Sequence, residues 1–586
     1  MNTRSELLFS VMILLLFSPL LSHAQHKITL QEMPEADLFH HPVLGENVFL
    51  FDPGMDMDRV QEVIDTIADR QTGRDGEFSK NRYALLFKPG EYHLDIRVGY
   101  YMQVLGLGES PDDVVIAGAI RSNSRRPGGG HVLTNFWRSV ENLTIVPDPD
   151  SINIWGVSQA APMRRVHVKG HLKLHDNGYS SGGFLADSRV DGEIIFGSQQ
   201  QWFSRNSQWE ACSGGAWNIF SLGVVNAPET NWPEGPYTSL QATPASREKP
   251  YLAFIDGELW LKVPETRINS TGPSWFNGTG DKNALRINDF YIAAPDRDDS
   301  ESINEALKNG MNLLFTPGIY NLESSLKVTR PGTVITGLGM PSLVPGSGNS
   351  VMEVSDIDAV TISGLLIDAG PAHSGVLMQI GERGSDLPHA TYPSWLFDIF
   401  VRVGGPAEGS ATTCVEVNSN DVFLDHIWLW RADHGNGVGW DRNLSENGII
   451  VNGDRVTVYG LFNEHHQGYQ TLWNGNGGRV YLYQSEMPYD PPAVESWKHG
   501  TTGGFASYKV ADHVQTHEAW GVGVYCVFYE APVIVDRAIE TPVALESSIH
   551  QKFTFWLNGN EDSLIRSIIN GKGDSVHKSN RKAVLK

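Results

Sequence analysis

The sequence contains one stretch written twice. Ala84-Leu-Leu-Phe-Lys-Pro-Gly-Glu-Tyr-His-Leu94 returns as Asn312-Leu-Leu-Phe-Thr-Pro-Gly-Ile-Tyr-Asn-Leu322, and Val104-Leu-Gly-Leu-Gly108 returns as Ile335-Thr-Gly-Leu-Gly339. A chain that spells one folding unit twice folds it twice, and its 586 residues leave room for two large units. Each copy follows a short helical pattern, Met57 to Arg70 and Ser300 to Lys308, whose apolar residues recur every three or four positions. Such a helix suits a cap over the open end of a solenoid core.

After each cap come short apolar or alternating runs separated by Gly, Asn, Asp and Pro: Val114 to Ile120, Val140 to Val146, Val360 to Ile367, Val422 to Trp430, Val456 to Phe462 and Val480 to Tyr483. Sandwiches and propellers also have regularly spaced strands, so the spacing has to decide. Aligning Asp421-Val-Phe-Leu with Arg455-Val-Thr-Val and then with Arg479-Val-Tyr-Leu puts apolar residues in step at intervals of 34 and 24, one coil plus variable loops. The expected architecture is all-β, two tandem right-handed parallel β-helices with short capping helices. The first spans 25–285, ending in an irregular stretch at 224–286 rich in Pro, Thr, Asn and Trp, and the second spans 286–586.

Residues 1–24 read as a secretory leader: Arg4, an apolar run from Leu7 to Leu21, and Ser22-His23-Ala24 as a cleavage site after Ala24. That run is shorter than the ~20 residues that span a bilayer. No later stretch is long enough to span one, so the mature chain is expected to be soluble, monomeric, and secreted or periplasmic. A net charge of -23 disfavours nucleic acid as a partner. Cys212, Cys414 and Cys526 are too few and too scattered for a disulfide framework or a zinc site.

In a parallel β-helix, matching positions of successive coils stack ~4.8 Å apart, so residues one coil apart in sequence become neighbours. Glu464 and Glu486 are 22 residues apart against the register of 24, an offset of two. An even offset keeps both carboxylates on one face and sets their backbones ~8 Å apart. Inverting glycosidases separate acid and base by ~6.5 to 9.5 Å, retaining ones by ~5 to 5.5 Å, so this spacing favours inversion. Trp430 lies 34 residues before Glu464, one coil earlier, as a platform for a sugar ring. Asp433, His434, Tyr469, Trp473 and Tyr489 add polar and aromatic groups to the same face, and His465 adjoins it. The bland alternatives are solenoid core for the aromatics and a solvated ladder for the glutamates. A metal site on His434, His465, His466, Asp433 and Glu464 is disfavoured, because adjacent histidines on a strand point to opposite faces. No metal or other cofactor is expected.

Trp428-Leu-Trp430-Arg-Ala-Asp-His434, Val458-Tyr-Gly-Leu-Phe-Asn-Glu-His-His466 and Gln484-Ser-Glu-Met-Pro-Tyr-Asp-Pro-Pro492 resemble successive segments of glycoside hydrolase family 55, the β-1,3-glucanases of pectin-lyase-like tandem β-helix fold. Val157-Ser-Gln-Ala-Ala161, Ser181-Gly-Gly-Phe-Leu-Ala-Asp187 and Gln200-Gln-Trp-Phe-Ser-Arg-Asn206 are similar to segments of its first helix. The resemblance implies an exo-acting enzyme on a laminarin-like β-1,3-glucan, with its active site between the helices. It makes Glu486 the general acid and Glu464 a second catalytic carboxylate that supports proton movement. It gives Gln159 and Ser181 the attacking water, with Ser180 competing for that role, and lines the sugar subsites with Trp430 and Tyr489. A carboxyl raised by its carboxylate neighbour would hold the acid's proton. Two other classes stay open: a polysaccharide lyase, which wants a basic residue where this cleft is acidic, and a carbohydrate-binding solenoid, which would keep the aromatics and not need Glu486.

Overall fold

The computed structural model describes residues 40–41, 43–148, 150–276 and 283–586; the leader at 1–24 lies outside the described residues. Two parallel β-helices follow one another in the chain. In the first, strands Gly45–Phe51, Tyr83–Phe87, Met102–Gly106, Arg138–Pro147, Pro162–Val168, Phe184–Ala186, Gln201–Arg205 and Asn218–Leu222 stack in sequence order as one parallel sheet. The second stacks Phe290–Ala293, Asn312–Phe315, Val334–Gly337, Thr361–Asp368, Trp395–Val403, β1 (Phe423–Arg431), β2 (Thr457–Glu464), β3 (Gly478–Glu486) and His517–Phe528. An eight-stranded sheet from Leu326–Val328 to Ile539–Glu540 closes its opposite wall.

The repeated sequences build the same corner. Phe87 meets Tyr92 edge-on with ring centroids 5.1 Å apart, and Phe315 meets Tyr320 in the same way at 5.1 Å. Each tyrosine hydroxyl donates to a carbonyl of the coil before it, Tyr92 to Phe51 O and Tyr320 to Ala293 O. Both caps are present as α1 (Met57–Gln71) and α2 (Ser300–Lys308). Asp56 and Asp299 accept from the first free backbone N–H groups of these helices, and Val60, Val63, Ile64 and Ile67, or Ile303, Ala306 and Leu307, cover the core ends.

The described residues of the connecting stretch, 224–276 and 283–286, are more ordered than an irregular connection. They contain antiparallel sheets, Thr243–Ser246 with Arg267–Ser270, and Tyr251–Ile255 with Glu258–Lys262 and Ala284–Arg286. The turns Asp256-Gly257 and the polar composition favour hairpins over rungs, and the segment carries Glu248 and Lys249 into the seam between the solenoids.

In the middle rungs of each helix one residue in or just after the strand bends into left-handed backbone: Asn142, Arg165, Asp187 and Asn206 in the first, Gly364, Asp398, His426, Gly460 and Leu482 in the second. The bend changes which residues face out. Before Asp398, Trp395 and Phe397 pack against the first solenoid; after it Phe400 does, while Ile399 and Val401 turn into the core. The seam is an aromatic cluster that joins Tyr101, Trp137, Phe184 and Phe203 to Phe397, Phe400, Trp428 and Phe462.

Candidate active site

The strands of the second solenoid end at one edge of the seam, where a cleft of about 800 Å³ opens between the two helices. Register places its carboxylates. β1 pairs with β2 so that Trp430 stands level with Glu464, 34 residues on. β2 pairs with β3 as Thr457 with Arg479 and Phe462 with Gln484, an interval of 22. The expected interval of 24 is therefore corrected by two residues, and Glu464 and Glu486 stand level on adjacent rungs, ~4.8 Å apart in backbone. Val458 as well as Val456 is buried in the core, so a slip of two leaves the inward pattern unchanged and the sequence did not reveal it.

Gln484 Nε2 donates to Glu464 Oε1 at 2.7 Å and to Glu486 Oε1 at 3.4 Å, which bounds those oxygens to within about 6 Å of each other. The spacing argument for inversion fails on this geometry. Glu464, 4% exposed, also accepts from Trp428 Nε1 at 2.9 Å and from Gln159 Nε2 at 3.0 Å, across the seam. Ser181 Oγ donates to Gln159 Oε1 at 3.1 Å, so one hydrogen-bonded line runs from the first solenoid to the carboxylate pair. Ser181 lines the cleft; Ser180 is turned to Ser198, 3.3 Å away. Glu486 accepts from the Tyr489 hydroxyl, and His465 Nε2 stands 3.9 Å from it.

Burial, reinforced by the neighbouring Glu486 charge, pushes the Glu464 carboxyl up to about 7. The raised carboxyl is thus found on Glu464, where the expectation had placed it on the acid. His434 sits between Asp433 (2.9 Å) and Glu77 (2.9 Å). Burial works against its protonation, but the two carboxylates outweigh burial and carry it to about 10, so it is a standing cation in the cleft wall. His465 is likewise raised despite burial, by Glu486, Asp433 and Glu464. His466 turns away, to Ser445 Oγ at 2.8 Å, so the two adjacent rings diverge.

Gln159, Ser181, Trp430, Asp433, His434, Glu464, His465, Glu486 and Tyr489 all line the cleft. Trp473 and Tyr469 do not. Trp473 belongs to the opposite sheet, buried in the core against His517. Tyr469 lies beside His499 and Phe505, with its hydroxyl 3.1 Å from His499 Nδ1. Both follow the turn after β2, which carries the chain to the other wall, so nearness in sequence to Glu464 misled. Sequence reasoning passed over Trp428 and Gln484, each two residues before a chosen residue on the same strand face, and that period of two was the available signal. Phe136, Trp217, Tyr529, Phe555 and Arg581 also line the cleft, from segments with no such signal.

Residues 290–486 match the LAM55 pectate lyase-like domain. Over 536 residues, 91% of this chain and 87% of the other, the sequence is 42% identical to an exo-beta-1,3-glucanase of Streptomyces sp. strain SirexAA-E. The structure of sacteLam55A from Streptomyces sp. SirexAA-E superposes with a TM-score of 0.89 at 41% identity, covering 92% of this chain and 98% of that one. A variant of sacteLam55A in complex with glucose gives 0.89 at 40% identity, with 94% and 99% covered.

Proposed function

The chain belongs to glycoside hydrolase family 55 and is a glycoside hydrolase, and from that premise we propose that it cleaves β-1,3-glucan from a chain end, with inversion, in the cleft between its solenoids. The observation that carries this reading is the carboxylate pair, Glu464 and Glu486, held by one amide in an aromatic cleft.

Glu486 faces the cleft and gives its proton to the departing glycosidic oxygen as the bond to the anomeric carbon breaks. A water held at Ser181 and Gln159, on the facing wall, attacks that carbon from the other side. Its proton passes to Ser181 Oγ, the Ser181 proton to Gln159 Oε1 and a Gln159 Nε2 proton to Glu464, whose raised affinity for a proton suits an acceptor. The Gln159 imidic acid so formed reverts to the amide by the loss of its Oε1 proton and the gain of one at Nε2 from water. The pair ends with one proton, as it began, and exchange with water in the cleft restores the proton on Glu486. Glu464 is poorly placed as a nucleophile, because three donors already occupy its oxygens. Tyr489 offers a surface for a sugar ring, whereas Trp430, expected as a platform, is 2% exposed with Trp428 at 5.4 Å and Phe78 at 6.4 Å stacked on it, so it backs the cleft wall.

Reducing-sugar release from laminarin by wild type and Glu486→Gln, with the product anomer followed by NMR, tests this. The expected result is α-glucose from wild type and a loss of about 10²–10⁴-fold in the variant. β-Glucose as first product would replace inversion by retention, and undiminished turnover in Glu486→Gln would remove Glu486 as the acid. The leader supports export, with the mature chain acting as a monomer; amino-terminal sequencing of exported protein should begin at Gln25, and size-exclusion chromatography should give one chain's mass.

A further inference from the structure

A second cavity, of about 350 Å³, opens on the first solenoid, and none of the residues lining it lines the cleft. Four arginines face it, Arg97, Arg121, Arg125 and Arg138, with Asp69 the one acidic residue in its lining. In a chain of net charge -23 such a concentration of cations stands out.

The four are not neutralised alike. Arg97 pairs with Asp65 at 2.9 Å and Asp69 at 3.0 Å, and Arg121 forks onto Asp95 at 2.7 and 2.6 Å. Arg125 reaches Glu77 only at 3.5 Å, and Glu77 is shared with His434. Arg138, 2% exposed, bonds neutral acceptors alone: Phe136 O at 3.0 Å, Val98 O at 2.8 Å and Ser122 Oγ at 3.1 Å. Its Nη2 has no hydrogen-bond partner among the described residues. Burial without a counter-ion brings the Arg138 guanidinium down to about 10. Arg138 lies over the Tyr100 ring at 4.7 Å and Arg125 donates to the Tyr100 hydroxyl, a neutral acceptor, which sets two like charges side by side. A buried guanidinium with an idle donor, beside a second weakly paired one and open space, is a site missing its negative charge.

We propose that this cavity binds an oxyanion group, a carboxylate or sulfate held by Arg138 and Arg125, whose planar forks match such oxygens. The shared chemistry has two sources, a free small anion or an acidic sugar. Calorimetric titration of the full mature chain with sodium sulfate, sodium acetate and sodium glucuronate, at constant ionic strength against chloride, separates them.

The expected result is saturable binding of at least one anion with a millimolar or tighter dissociation constant, weakened about tenfold or more in both Arg138→Gln and Arg125→Gln. Glucuronate binding well above acetate assigns an acidic sugar; sulfate or acetate binding as well as glucuronate assigns a free anion. Because Arg138 is buried, circular dichroism checks the fold of its variant, and the half-exposed Arg125 carries the test where Arg138→Gln fails to fold. Absence of saturable binding by all three, or an affinity unchanged in Arg125→Gln, overturns the proposal.

Discussion

The seam between the solenoids and the cleft at its edge are made by the same strands, and both bury charge, but they arrange it oppositely. In the seam opposite charges alternate: Arg164 forks onto Asp398 at 2.9 and 2.8 Å, Lys249 bridges Glu141 and Asp398 at 2.8 and 3.1 Å, and Arg205 holds Glu248 and Asp425, each at 2.7 Å. At the cleft two carboxyl groups of like charge meet, Glu464 held by neutral donors and Glu486 with His465 3.9 Å away. Burial pushes up on the Asp398 carboxyl as on that of Glu464, but Arg164 and Lys249 hold Asp398 well below its ordinary value, while the Glu486 charge adds to the rise on Glu464. Burial alone therefore does not decide what a carboxylate does. At Asp398 the opposite charges outweigh burial and lock the carboxylate ionised as a structural clamp, and at Glu464 a like charge leaves the carboxyl able to exchange a proton near neutrality.

The largest effect expected from this contrast is on turnover. Glu464→Gln should lower kcat on laminarin by about 10²–10⁴-fold while leaving the denaturation midpoint at pH 8 unlowered, because it removes a buried like charge. A variant that unfolds early would make Glu464 a clamp like Asp398. Asp398→Asn should do the reverse and destabilise the protein by about 3–5 kcal/mol in denaturant titration, since Arg164 and Lys249 lose their shared carboxylate.

The pH dependences should also run oppositely. Glu464 in the folded state has a value of about 7, above the ~4.3 of an unfolded chain, so its contribution to stability is complete below pH ~4 and is lost as pH rises toward 7. Asp398, held below the ~3.9 of an unfolded chain, contributes above that pH, and its contribution is lost as pH falls through its folded value. Calorimetric midpoints from pH 3 to 8 should show Glu464→Gln losing less stability than wild type on the neutral side and Asp398→Asn losing less on the acid side. The smallest change should come from Tyr469→Phe, with laminarin kcat/KM within about twofold of wild type, since its hydroxyl meets His499 outside the cleft. A larger loss would return that wall to the site.

Much of the fold was legible because a solenoid writes its plan locally. Two copies of one corner, two amphipathic caps and a train of short apolar runs each reflect contacts within a coil or with the next. The glutamates and Trp430 were legible for the same reason, as residues about one coil apart. The register of β3 against β2 was not, because alternation repeats every two residues and buries Val456 and Val458 alike. Trp473 and Tyr469 were misplaced because the sequence marks a turn without saying which wall the chain reaches next.

What the sequence determined by itself is therefore the tandem β-helix and the carboxylates available to it, since periodic apolar burial and one-coil spacing are local properties of the chain. Only the tertiary structure decided which charges would be clamped by an opposite charge and which set beside a like one. Gln159 reaches Glu464 across 305 residues, and Arg164 reaches Asp398 across 234. Those separations follow from how two solenoids lie side by side, and the electrostatic field at a buried carboxylate depends on whatever that packing brings within a few ångströms.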